Sequence, residues 1–196
     1  MRIRSAVLRE MGMAPPYATS RPLEIVELEL DDPGPGEVLL RVRAAGLCHS
    51  DLSVINGSRP RLMPMALGHE AAGEVVACGE GVTRVQPGDH AVMVFVPSCG
   101  ECDPCLAGRA ALCEPGAAAN GAGTLLSGAH RLHALDGSVV QHHLGVSAFS
   151  DHVVCAQESV VVIDPSLPFE VAALFGCAVI TGVGAALHAA SIEAGD

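Results

Sequence analysis

The chain has 196 residues, of which 49% are hydrophobic and only 3% aromatic, so a core must be built from Val, Leu, Ile and Ala. Eleven Lys and Arg against 22 Asp and Glu leave a net charge of −11, which excludes nucleic acid as the main partner because that role needs basic patches. The N-terminus lacks the apolar core of a secretory signal, so a cytoplasmic location is expected.

In chain order, Ile3 to Leu8 reads as a short strand. Leu23 to Leu30 alternates, with Glu24, Val26, Leu28 and Leu30 on a nearly apolar face. Asp31 to Gly36 is a turn cluster, and Val38 to Ala45 the next strand. Cys48 to Val54 reads as a helical turn and Gly57 to Pro64 as loop. Glu70 to Cys78 is a strand broken at Gly73, and Ala91 to Val96 another. Residues 97–115 are dominated by Cys, Gly and Pro, a composition that cannot bury an ordinary core and needs another anchor. Residues 116–145 read as a long irregular loop with one hairpin at Asp136-Gly137, and Val153 to Ile163 as a strand. A short helix over Val171 to Phe175 and a second over Thr181 to Ala190 follow. The apolar stretch Val171 to Ser191 reads as core strand-turn-helix, not a membrane span, so no membrane partner is expected. Many short strands with helix appearing late predict a mainly β, barrel-like domain with some α.

The eight cysteines are not spread as a disulfide framework. Four follow the spacing Cys99-x2-Cys102-x2-Cys105-x7-Cys113, in which thiolates on tight turns converge on one ion and close a tetrahedral structural zinc site. An iron–sulfur site fits less well, since the last gap is seven residues. A redox pair from Cys102 and Cys105 normally opens a helix in a βαβ unit, whereas this Cys-x-x-Cys sits inside a longer set. Cys48, His69 and Cys177 are a second candidate set, because Cys/His/Cys with one open position is a known catalytic zinc arrangement. Taken singly, each is more often an ordinary core residue.

The neighbouring motifs decide for metal. Gly68-His69-Glu70-x2-Gly73-x5-Gly79-x2-Val82, Gly46-x-Cys48-x-Ser50-Asp51, the four-cysteine lobe and Gly176-Cys177 with Thr181-Gly182-x-Gly184-Ala185 occur in an order that resembles the zinc-containing alcohol dehydrogenases of the medium-chain dehydrogenase/reductase family, over essentially the whole chain. The resemblance implies a GroES-like, partly open β-barrel catalytic domain over residues 1–175, with a structural-zinc lobe at 97–115. Residues 176–196 would carry the third ligand and a helix leading to a dinucleotide-binding Rossmann domain that is absent from this chain. It further implies Cys48, His69 and Cys177 as catalytic zinc ligands and Cys99, Cys102, Cys105 and Cys113 as structural ligands, two Zn²⁺ per chain. Asp51 would orient His69, Glu70 would stand beside the metal, and Ser50 would pass the alcohol proton outward. His49 and Thr181 would face the cofactor, NAD(P), and Phe95 would wall the substrate pocket. The implied activity is reversible oxidation of a small-molecule alcohol to an aldehyde or ketone, by a homo-oligomer when full length, with the isolated chain inactive.

Two departures stand out. The position three residues after Ser50, often His in that family, is Ser53, and the Gly-x-Gly-x-x-Gly loop that would hold the dinucleotide is expected beyond Asp196. The long 116–145 segment is similar to that of the longer-loop members, which include thiol-adduct (glutathione- or mycothiol-type) formaldehyde dehydrogenases and aryl-alcohol dehydrogenases, and it does not choose among them; a thiol-adduct dehydrogenase and a non-catalytic GroES-like zinc module are the alternatives. Cys78 and Cys155 match no ligand position and read as buried cysteines; His130, His133, His142, His143 and His152 read as surface or loop residues.

Overall fold

The structure, a computed structural model, describes residues 1–190. Ten strands follow in order: β1 (Arg2–Leu8), β2 (Leu23–Leu30), β3 (Glu37–Gly46), β4 (Met65–Ala66), β5 (Glu70–Cys78), β6 (His90–Met93), β7 (Leu132–Ala134), β8 (Val139–His142), β9 (His152–Ala156) and β10 (Val160–Val162). Six short α-helices interrupt them: α1 (Tyr17–Ser20), α2 (His49–Ile55), α3 (Asp103–Leu106), α4 (Glu114–Ala122), α5 (Phe169–Ala172) and α6 (Ala178–Gly184).

The strands form two sheets. One closes on itself in the order β1-β2-β7-β8-β4; the other runs β10-β6-β5-β3-β9. Strands β9 and β10 occupy opposite edges of the second sheet, yet only the single turn Gln157–Ser159 joins them. Three residues reach at most about 14 Å, whereas five flat strands would hold their edges about 19 Å apart. The sheet is therefore rolled until its edges nearly meet, which is the partly open barrel expected. The same crossing splits the single strand expected over Val153 to Ile163.

Strand β3 is the shared wall. Val38 and Leu40 join the core of the rolled sheet, while Leu39 joins that of the closed barrel, as period-two alternation requires. Its pairing with β5 skips Val76, which bulges and stands 44% exposed. Gly73 does not break β5. A Cβ there would meet the Arg41 carbonyl oxygen at 2.2 Å, so the glycine permits close approach of β3.

Three expectations change. Residues 116–145 are not irregular throughout, because α4 begins just before them. Pro115 sits in its first turn, the Cys113 sulfur accepts from Gly116 N–H, and Gly123 closes it in the left-handed region (φ 71°). The hairpin at Asp136-Gly137 is present as β7 and β8. The strand expected over Ala91 to Val96 ends at Met93, before Val96 turns to φ 55°. The apolar stretch from Val171 contains no strand and is core only in part: Ala172 and Ala173 are buried against Ala72 and Val92, but Leu174, Phe175, Ile180 and Val183 are 42–52% exposed on a helical segment bent at Cys177. Its last residue, Ser191, lies outside the described residues, as does the rest of 191–196. Among the described residues no single helix is long and apolar enough to cross a membrane, although that bent pair passes on length and composition.

Candidate metal centres

Sheet register builds the first centre. Gly46, at the end of β3, pairs with Glu70, at the start of β5. That pairing brings the residues just beyond each end, Cys48 and His69, side by side. Cys177 arrives on the bent segment, held close because Gly176 packs on β6; a Cβ on it would meet the Met93 carbonyl oxygen at 2.1 Å. The ligand atoms of Cys48, His69 and Cys177 all lie within 4.8 Å of one another.

The donors fit zinc. The Cys48 and Cys177 sulfurs stand 3.8 Å apart, and two thiolates on one tetrahedral zinc at ~2.3 Å stand about 3.8 Å apart. His69 is 1% exposed and its Nε2 has no hydrogen-bond partner. A buried orphan nitrogen is costly unless something binds it.

Asp51 organises the surroundings. Cys48 is the N-cap of α2, and its backbone N–H donates to Asp51 Oδ2 at 3.2 Å. Asp51 thus caps its helix and reaches the cluster at once. Its Oδ1 accepts from Gly68 N–H at 3.3 Å and faces His69 Nδ1 at 3.2 Å. Gly68 must be glycine: φ is 91° and a Cβ would strike the Phe149 backbone nitrogen at 2.4 Å. Burial opposes ionisation of Asp51, but His143 and His69 outweigh it and hold the carboxyl well below the usual range. For His69, burial favours the neutral ring, yet Asp51 and Cys48 raise its pKa overall. Burial likewise resists ionisation of Cys48, but the backbone N–H and hydroxyl of Ser50, with Cys177 and His69, lower its pKa. Cys177 is pushed up to about 12 by burial and by the neighbouring Cys48 and Glu70. Two thiols so close cannot both ionise readily without a cation between them.

Glu70 is 2% exposed, and its Oε1 accepts from Ala178 N–H at 3.0 Å, which ties the segment bearing Cys177 to β5. The Thr181 N–H donates to the Cys177 carbonyl at 3.0 Å. His49 is exposed, and its Nδ1 lies 3.3 Å from the Ser53 hydroxyl, which also donates to the His49 carbonyl at 3.0 Å. Phe95 packs edge-on to His69, ring centroids 5.2 Å apart.

The second centre is local in sequence. Cys99, Cys102, Cys105 and Cys113 place four sulfurs within 4.8 Å of one another around α3. Backbone N–H groups of Glu101 and Cys102 point at the Cys99 sulfur and lower that thiol to about 7. Burial and the three other thiols push Cys105 up to about 12. Such crowding is relieved by a divalent cation. No open position remains in this set, whereas the first set leaves one.

The remaining cysteines and histidines divide differently from expectation. Cys155 is fully buried, and burial pushes it up to about 12; Cys78 is partly buried, and neither joins a cluster. His142 and His143, expected as surface or loop residues, are 1% and 0% exposed. His142 Nε2 accepts from Arg131 N–H at 3.0 Å. His143 reaches Asp51, a placement sequence reasoning missed; the flanking apolar residues Val140, Leu144 and Val146 were the available signal. His130, His133 and His152 are half-buried.

Residues 34–165 match the family described as the alcohol dehydrogenase GroES-like domain. An alcohol dehydrogenase class-3 of Cereibacter sphaeroides and an S-(hydroxymethyl)glutathione dehydrogenase of Paracoccus denitrificans are each 39% identical over all of this chain and 50% of their own length. A putative alcohol dehydrogenase D of Mycobacterium tuberculosis is 43% identical over the same shares. Among solved structures, an alcohol dehydrogenase zinc-binding domain protein from Burkholderia ambifaria superposes with a TM-score of 0.87 at 30% identity, over 98% of this chain and 50% of that one. Benzyl alcohol dehydrogenase from Acinetobacter calcoaceticus gives 0.83 at 31% identity, over 96% and 48%. The chain thus spans about half the length of these relatives. With this fold and these two donor sets, it belongs to the zinc-type alcohol dehydrogenase family and carries that family's GroES-like domain.

Proposed function

We propose that this chain is the substrate- and metal-binding part of a zinc-dependent dehydrogenase that interconverts an alcohol and its aldehyde or ketone with NAD(P). The observation that carries the reading is the orphan Nε2 of His69 facing two sulfurs 3.8 Å apart. Cys48, His69 and Cys177 would hold a zinc ion that supplies Lewis acidity toward a substrate oxygen, while NAD(P) takes or gives the hydride.

The chain's own groups do the rest. Asp51 fixes the His69 tautomer by accepting from Nδ1, which leaves Nε2 free to ligate. Glu70 anchors the strand end to the Cys177 segment from behind the cluster. Ser50, whose hydroxyl contacts the Cys48 sulfur, would accept the substrate hydroxyl proton. With Ser53 in place of a histidine, onward transfer falls to water or to the His49–Ser53 pair. His49 and Thr181, both exposed near this cluster, are the cofactor-facing residues.

The relatives named S-(hydroxymethyl)glutathione dehydrogenase, which match 92–100% of this chain, favour a thiol-adduct substrate as the second reading. A purely structural module is separated from both by metal content. Two zinc ions per chain are expected, falling to one in Cys48→Ser, with alcohol oxidation abolished in the full-length enzyme. One zinc in the unmodified chain, or full activity and two zincs in Cys48→Ser, defeats the proposal.

A further inference from the structure

His143 is fully buried, and neither ring nitrogen has a hydrogen-bond partner. Its Nδ1 nevertheless lies 3.3 Å from Asp51 Oδ1, the oxygen that also faces His69 Nδ1. Its ring stands edge-on to the His69 ring at 5.6 Å between centroids and 83° between planes. His69 is therefore flanked by Phe95 at 5.2 Å and by His143 at 5.6 Å. The backbone is bent to deliver this ring. Leu144 (φ 54°) and Ser147 (φ 55°) occupy the left-handed region, which non-glycine residues adopt under compulsion. The bend is pinned at both ends: the Ser147 hydroxyl accepts from His143 N–H at 2.9 Å, and Ala148 N–H donates to the Gly68 carbonyl at 2.9 Å, one residue before His69.

We propose that His143 is a positioning residue for the metal centre: its buried ring braces the Asp51 carboxylate and the His69 imidazole together, keeping His69 Nε2 aimed at Cys48 and Cys177. The inference rests on the zinc reading above. Asp51, His69 and His143 are also close enough to be weighed as a metal site of their own. The Gly68 N–H aimed at Asp51 Oδ1 argues against it, because that oxygen is arranged to receive donors and a cation there would be repelled by the N–H. His69 Nδ1 is likewise engaged by Asp51.

The test compares His143→Phe, which keeps the ring and loses the nitrogen, with His143→Asn, whose amide N–H can stand near the Nδ1 position. Zinc content, zinc loss to a chelator and the absorption spectrum of the cobalt-substituted chain are the readouts. In His143→Phe the affinity of the Cys48/His69/Cys177 centre should fall about 10–100-fold and its cobalt spectrum should change, with the four-cysteine lobe unaffected; His143→Asn should restore most of the loss. Wild-type affinity and spectrum in His143→Phe, or a third zinc in the unmodified chain, overturns the proposal. Should the phenylalanine variant not fold, imidazole ¹⁵N resonances of the unmodified chain decide. His143 should carry its proton on Nδ1, and a proton on Nε2 overturns the assignment. One zinc in the unmodified chain sinks the zinc reading alone, because those resonances still report whether His143 donates to Asp51.

Discussion

Asp51→Asn is the sharpest probe of the metal centre, because one carboxylate serves Cys48 N–H, Gly68 N–H, His69 and His143. Asparagine has one acceptor oxygen. Placed at the Oδ1 position, it keeps three of the four contacts and turns an NH₂ against the Cys48 N–H; placed the other way, it loses three. The first arrangement wins, and it leaves one buried donor unpaired at a cost of about 1–3 kcal/mol. At about 2–4 °C per kcal/mol for a domain this size, the melting temperature should drop by about 2–12 °C. Loss of the negative partner of His69 should lower zinc affinity at this centre about 10–100-fold. The sign of the pH dependence follows from the depressed pKa of Asp51. Its stabilisation is complete above the usual carboxylate range and is lost as pH falls toward the native value, so the gap between wild type and variant is full at pH 7 and narrows below about pH 4. Calorimetry against pH, with chelator competition for zinc, reads both effects. Unchanged zinc affinity together with a gap that does not narrow in acid refutes the role given to Asp51.

His142 is held neutral, its pKa driven down to about 3 by burial, with help from His130, Arg131 and His133. The unfolded chain protonates this histidine near pH 6.5, so native stability falls as pH drops from there toward 3, by up to about 1.4 kcal/mol per pH unit. His142→Gln should flatten the melting-temperature profile between pH 7 and 5, and an unchanged slope contradicts the burial argument. Cys113→Ser should remove the lobe zinc and expose residues 97–115 to proteolysis while the other centre keeps its metal; loss of both metals would mean the two centres are not independent. Gly176→Ala should displace Cys177, because the added methyl meets the Met93 carbonyl, and zinc should be lost from the Cys48 centre alone.

The alternation of Leu23 to Leu30, the Val-rich run after Glu37 and the Asp136-Gly137 turn made much of the sheet legible, because strand patterning is local. Helix α4 was hidden by Gly116 and Gly121 within it, since its start depends on a cysteine cap and a proline rather than on apolar periodicity. The four-cysteine lobe was readable from spacing alone. Cys48, His69 and Cys177 were readable only through their motifs, because what joins them is the Gly46–Glu70 register and the seat of Gly176 on Met93. His143 was misplaced because the glycine-rich loop around it outweighed the one local sign of burial, its apolar neighbours Val140, Leu144 and Val146. Its depth is set by how the bend at Leu144 and Ser147 meets Gly68.

The two donor sets therefore divide their labour by contact range. The lobe collects four thiolates from one short segment, so its metal can organise that segment with little help from the sheets. The second set draws its donors from the end of β3, the start of β5 and the bent segment after α5, and Asp51 bridges the first two through backbone and imidazole together. No stretch of the chain holds that arrangement without the rest. A metal ion held there would bind the folded sheet register rather than a loop, so its affinity would be coupled to global stability. A fourth position on such an ion could stay open, because the rigidity comes from β-pairing and a buried carboxylate, where a closed site would draw it from a fourth ligand.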